Sequence, residues 1–157
     1  MTKMQARLKN IALMAPEAMQ ALNALKASAE NAGVAPNLFT FIELRVSQIN
    51  GCSVCVDMHS RQLRKAGEPE ERIATVAAWR DTPYFTDAER AALALAEAVT
   101  RLSDREDPVS DAVWNEAANH YDERALGAIV IVIANINVWN RLNVATRQVS
   151  GAWTGSY

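Results

Sequence analysis

Only one stretch of the chain, Ile129-Val130-Ile131-Val132-Ile133, has the β-branched composition of a strand, and a strand cannot stand alone. No second run exists to pair with it, and Asn135 to Arg147 continue in helical spacing. The run therefore reads as part of a helix buried on most sides, and the whole chain as all-α. Helix punctuation elsewhere agrees. Pro16 opens a first helix through Met19, Leu22, Leu25 and Ala29, and Gly33 closes it. Pro36-Asn37 starts a second through Phe41, Leu44 and Val46, ending near Asn50-Gly51. A third runs from Cys52 to Gly67, and Glu68-Pro69-Glu70-Glu71 starts a fourth through Ile73, Val76 and Trp79. Thr86-Asp87-Ala88-Glu89 is a capping box that opens a fifth through Leu93, Leu95 and Val99. Ser110 caps a sixth, and Asp122 opens a last, long helix to about Gln148.

The 157 residues suit one domain, expected over 1–157, with a core that needs no staples. The 16 Lys and Arg against 18 Asp and Glu give a net charge of -2, with no basic run, which argues against a nucleic-acid partner. The longest apolar run, Ala125 to Ala134, is too short to cross a bilayer. The basic N-terminus lacks the apolar stretch of a signal peptide, so a cytoplasmic location is expected. In that compartment a lone CxxC reads as redox or metal chemistry. One internal echo stands out: Phe41–Gln62 and Gly127–Gln148 are each an apolar helix leading through an Asn-containing turn region to Arg-Gln. An old duplication and a coincidence of composition account for it equally well.

The chemistry is concentrated in Ser47-Gln48-Ile49-Asn50-Gly51-Cys52-Ser53-Val54-Cys55-Val56-Asp57-Met58-His59, which holds both cysteines and one of two histidines. With Cys52 at the first turn of a helix, Cys55 and His59 follow on the same face. First-turn amides and a nearby imidazole favour a thiolate, the nucleophilic form of cysteine. Cys52 is then placed to attack an oxidised Cys55 and close a disulfide. Glu43, on the preceding and otherwise apolar helix, needs a partner if buried, and His59 is the natural one. A Glu–His–Cys relay would let Glu43 orient His59 while His59 accepts the thiol proton.

Glu43-x8-Cys52-x2-Cys55-x3-His59, with Ser47 to Cys52 intact, closely resembles the AhpD-like alkylhydroperoxidases of the carboxymuconolactone decarboxylase superfamily. The sharp match spans residues 43–59, and the helix pattern, with Asn137-x-Trp139-Asn140-Arg141, resembles the family over about 15–150. The resemblance implies an all-helical bundle of about six to eight helices that assembles as a homo-oligomer, a trimer or hexamer. It implies a hydroperoxide substrate, with Cys55 attacking the peroxide, Cys52 resolving the sulfenate, and His59 with Glu43 relaying protons. No organic cofactor or metal is implied. The reductant that the resemblance implies is an external dithiol, such as one on a lipoyl-bearing or thioredoxin-like protein. In the best-known members the glutamate falls at the position of Thr40, and a histidine stands where this chain has Val54.

Other readings of the same residues are definite enough to test. Cys52, Cys55, His59 and Glu43 could hold zinc, though structural zinc sites use two paired ligand sets and only one CxxC exists here. A thioredoxin fold needs strands that this chain lacks. Two inert buried cysteines, a redox sensor using the disulfide as a switch, and a lactone decarboxylase complete the set. His120 reads as a surface or capping residue, and 104–107 as a solvated loop. Trp79, Trp114, Trp139 and Trp153 read as core or interface anchors. Asn135, Asn137, Asn140 and Asn143 could line a site or bond between subunits.

Overall fold

The computed structural model describes residues 4–151, so Trp153 lies outside the described residues. In chain order the elements are α1 (Ile11–Met14), α2 (Pro16–Ala27), α3 (Pro36–Asn50), α4 (Ser53–Lys65), α5 (Glu70–Thr75), a 3-10 segment (Val76–Asp81), α6 (Asp87–Thr100), α7 (Asp111–His120) and α8 (Glu123–Ala145). No strand occurs among the described residues, and the fold is all-α as expected. Ile129 to Ile133 lie inside α8, with Ile129, Val132 and Ile133 buried.

α3 is the hub, packing against α4, α6 and α8. It is buried or half-buried from Asn37 to Asn50, and Phe41, Ile42, Leu44 and Val46 are at most 1% exposed. Each such side chain contributes about 1.5–3 kcal/mol of burial. α6 meets the core with Ala91, Ala92, Leu93, Leu95 and Ala96, all buried. Phe41 and Phe85 pack edge to face at 5.5 Å, with the Arg72 guanidinium over both rings.

The register of α3 against α8 is set by amides. Asn50 Nδ2 donates to Asn137 Oδ1 and Asn140 Oδ1, each at 2.9 Å. Asn140 Nδ2 donates to Ser47 Oγ at 3.0 Å, and Asn137 Nδ2 to the Ile133 carbonyl at 2.9 Å. These asparagines therefore bond within the chain. The internal echo does not survive: it pairs Gly51 with Asn137, and Asn137 sits in the middle of α8, where no turn exists.

Three boundaries differ from expectation. The first helix stops at Ala27, because Ser28 Oγ donates to the Leu25 carbonyl and Asn31 then takes a left-handed φ of 63°. The fourth ends at Thr75 and tightens into the 3-10 segment, bringing the Trp79 indole to Glu97 at 3.0 Å. The third starts at Ser53, with Cys52 as its cap. α8 is long and apolar enough, by length and composition, to cross a bilayer, but 56% of that stretch is buried inside the molecule, as in a core helix.

Candidate active site

Gly51 fixes the first cysteine. With φ 68° and ψ 29° it closes α3 in the left-handed region, where a glycine carries no Cβ penalty. The Cys52 amide then donates to the Ser47 carbonyl at 3.0 Å, and the Gly51 amide to the Gln48 carbonyl at 3.3 Å. This pair of bonds is a Schellman closure, and it ties the Cys52 backbone to the end of α3. Cys52 turns straight into the cap of α4, its sulfur accepting from the Cys55 amide at 3.4 Å. Cys52 and Cys55 are joined as a disulfide across a Cα separation of 5.4 Å.

α2, α3, α4 and α8 enclose a cavity of about 240 Å³ lined by Lys26, Glu43, Cys55, His59, Gln62, Asn135 and Asn143, with apolar walls from Met19, Val54, Met58, Ile136 and Trp139. Of the four residues expected to act together, Glu43, Cys55 and His59 reach this cavity. Cys52 lies behind the disulfide and lines a separate, more open groove with Gly51, Ser53, Arg147 and Gln148. Thr40, the family's usual glutamate position, does not line the cavity, whereas Glu43 does.

Glu43 is 3% exposed, and its nearest partner is not His59. Lys26 from α2 holds both carboxylate oxygens, at 2.6 and 2.9 Å. His59 Nδ1 stands 3.6 Å from Glu43, an ion-pair distance, and makes its hydrogen bond to Gln62 Oε1 at 2.8 Å. The expected neighbours thus meet, with Lys26 added as the closer partner: buried Glu43 needs a full positive charge, and neutral imidazole does not supply one. An amide oxygen only accepts, so Nδ1 carries the hydrogen and Nε2 keeps a free lone pair. Burial pushes the His59 pKa below its ordinary value, and Glu43 and Gln62 oppose that shift. The result is a neutral base whose basic nitrogen has no protein partner among the described residues.

α8 supplies what the local motif lacked. Asn143 Nδ2 donates to Cys55 Sγ at 3.4 Å, and Asn135, two turns back on α8 and 1% exposed, also lines the cavity. The sequence put a dense set of asparagines on this helix but gave no sign of which faced α3 and which the cysteine. Trp139 lines the cavity, Trp79 is buried, and Trp114 is 40% exposed and anchors no core. His120 sits at the surface end of α7 beside Glu116. Among the described residues no three His, Cys, Asp or Glu side chains gather as a metal-ion cage.

A family model described as the carboxymuconolactone decarboxylase family matches residues 16–98. The uncharacterized YdfG of Bacillus subtilis is 35% identical over 132 residues, 84% of this chain and 88% of YdfG. The alkyl hydroperoxide reductase AhpD of Bradyrhizobium diazoefficiens is 49% identical over 45 residues, 29% of this chain and 25% of that one. A solved protein of unknown function from Agrobacterium tumefaciens, named as a candidate antioxidant-defence AhpD, matches with a TM-score of 0.86 and 34% identity, over 95% of this chain and 100% of that one. The debrominase Bmp8 shares the fold alone, with a TM-score of 0.77 and 23% identity over 88% of this chain and 74% of that one. By the matched model and the relationship to YdfG, the chain belongs to the carboxymuconolactone decarboxylase family, as an AhpD-like member.

Proposed function

We propose that the protein is a thiol-dependent hydroperoxide reductase that cycles through the Cys52–Cys55 disulfide. The observation that carries this reading is the placement of Cys55 in a partly open cavity of mostly apolar surface together with His59, whose Nε2 has no protein partner among the described residues. His59 takes the Cys55 thiol proton, and Asn143 stabilises the thiolate by donating to its sulfur. The thiolate attacks the distal oxygen of a hydroperoxide. The O–O bond breaks, the electron pair leaves on the alkoxide, and His59 returns the proton to give an alcohol. The Cys55 sulfenic acid condenses with the Cys52 thiol, releasing water and forming the disulfide.

An external dithiol, carried by a lipoyl-bearing or thioredoxin-like protein, then reduces it. Cys52, 2% exposed, lines the groove beside Arg147 and Gln148, and we assign the reductant's attack on its sulfur to that side. Cys55 leaves as the thiolate that Asn143 holds. Such a cycle runs in a reducing compartment, the cytoplasm. Leu13 and Met14 on α1 are 68% and 59% exposed, which supports burial in a trimer or hexamer.

The test is mass spectrometry of the reduced protein after one equivalent of an alkyl hydroperoxide. Wild type is expected to lose two hydrogens at Cys52–Cys55, Cys52→Ser to trap a sulfenate on Cys55, and Cys55→Ser to stay unreacted. Thiols that remain unreacted in wild type overturn the reading, and a single oxidation without turnover on added dithiol replaces it with a redox switch. Light scattering on the same sample reads assembly, and a monomer at micromolar concentration removes the oligomer.

A further inference from the structure

Cys55, His59 and Gln62 stand at i, i+4 and i+7 on α4, so one face of the helix carries all three, and all three line the cavity. Two side-chain oxygens compete for His59 Nδ1. Gln62 Oε1 is at 2.8 Å, a hydrogen bond, and Glu43 Oε2 is at 3.6 Å, beyond one. A carboxylate is the stronger acceptor, so the amide's place needs a cause. Lys26 provides it by holding both Glu43 oxygens, at 2.6 and 2.9 Å. The imidazole, 2% exposed, is left with a neutral hydrogen-bond partner on Nδ1.

We propose that Gln62 is a positioning residue of the reaction: by accepting from Nδ1 it fixes His59 as the Nδ1–H tautomer and reserves Nε2 for the Cys55 proton. This rests on the peroxidatic reading of Cys55. The two ring nitrogens point to diverging sides of the imidazole. One tautomer presents its lone pair away from Gln62, and the other presents it to Gln62. Only the first leaves a base for the thiol. The neutrality of Gln62 matters as much as its place. The proton must reach His59 and then leave for the alkoxide. A carboxylate bonded to Nδ1 would stabilise the imidazolium and retain that proton, and an amide does so less. Glu43 of α3 and Lys26 of α2 are the charged groups that act on the ring. Cys55 is the other titratable group of α4 in the cavity, and α8 adds amides and apolar side chains.

Long-range proton–nitrogen NMR tells a protonated ring nitrogen from a bare one. The chain has two histidines, and His120→Gln assigns the spectrum by removing the one on α7. At neutral pH, wild type in the disulfide form is expected to show a protonated Nδ1 and a bare Nε2. Gln62→Leu is expected to lose that single tautomer, with peroxide-driven disulfide formation slower by about two- to tenfold, the worth of one hydrogen bond. Gln62→Glu keeps an acceptor in place, so the tautomer is retained, and the added charge moves the acid limb of disulfide formation to higher pH. A bare Nδ1 in wild type, or an unchanged tautomer in Gln62→Leu, overturns the proposal. So does an acid limb in Gln62→Glu that stays at the wild-type pH. If peroxide leaves both thiols of wild type intact while the tautomer follows Gln62 as stated, the peroxidatic reading falls and control of the tautomer by Gln62 stands.

Discussion

Lys26 sets how much negative charge His59 meets. Burial lowers the imidazole pKa, Glu43 raises it, and Lys26 lowers it again by neutralising the carboxylate. The other groups that line the cavity around the ring are the Cys55 thiol, amides and apolar side chains. Removing the cation in Lys26→Met leaves Glu43 uncompensated beside His59, so the imidazole holds its proton to higher pH. A protonated His59 cannot accept from Cys55. The acid limb of peroxide-driven disulfide formation is therefore expected to move to higher pH in Lys26→Met and to stay in place in Lys26→Arg, read by quenched-flow alkylation across pH. Identical limbs in wild type and Lys26→Met would dismiss the electrostatic role. Glu43, Cys55 and His59 were legible as cavity neighbours because they fall within seventeen residues of one helix pair, whereas the same spacing did not show Cys52 on a separate groove. Lys26, Asn135 and Asn143 were not, because α2 and α8 deliver them from far along the chain, and lysine and asparagine carry no signal of their own.

Elements were legible where they announce their ends. Pro16, Pro36 and the Thr86–Glu89 box all begin helices as expected, and Glu89 closes the box by accepting from the Thr86 amide at 2.8 Å. The end of the first helix was not, because a serine hydroxyl competing for a carbonyl leaves no apolar break to read. Two glycines show how differently one residue type acts on an element. Gly51 closes α3 at a positive φ with nothing within 4 Å of a built Cβ, so alanine there is strained by the backbone alone. Gly127 lies inside α8, also with nothing within 4 Å, and without a positive φ. Gly51→Ala is expected to cost about 1–2 kcal/mol, a fall in Tm of about 2–8 °C. Gly127→Ala is expected to gain about 0.5–1 kcal/mol by restricting the unfolded chain. Thermal unfolding of the pair checks both signs, and a destabilised Gly127→Ala would contradict the argument for α8.

Across the molecule, one carboxylate joins three elements that the sequence kept separate. Glu97 of α6 is 6% exposed. It accepts from Arg45 Nε of α3 at 2.7 Å, from Trp79 Nε1 at 3.0 Å and from Arg80 Nη1 at 2.7 Å, the last two in the 3-10 segment. Burial alone would raise its pKa, but the three donors overcome that and hold it below the ordinary carboxylate value of 4.5. A depressed carboxylate contributes stability that is present above its unfolded value and is lost as pH falls through its folded one. Glu97→Gln keeps the shape and removes the charge, leaving the half-buried Arg45 without its counter-ion. At pH 7 the variant is expected to lose about 3 kcal/mol, a Tm lower by about 6–12 °C. As pH falls below the ordinary value of 4.5 and on through the lower folded one, wild type loses this contribution, so the gap between the two melting curves should close progressively. A gap that stays constant from pH 7 into the acid range would mean that shape, not charge, makes the joint. α3 would then be held to α6 by its apolar face alone.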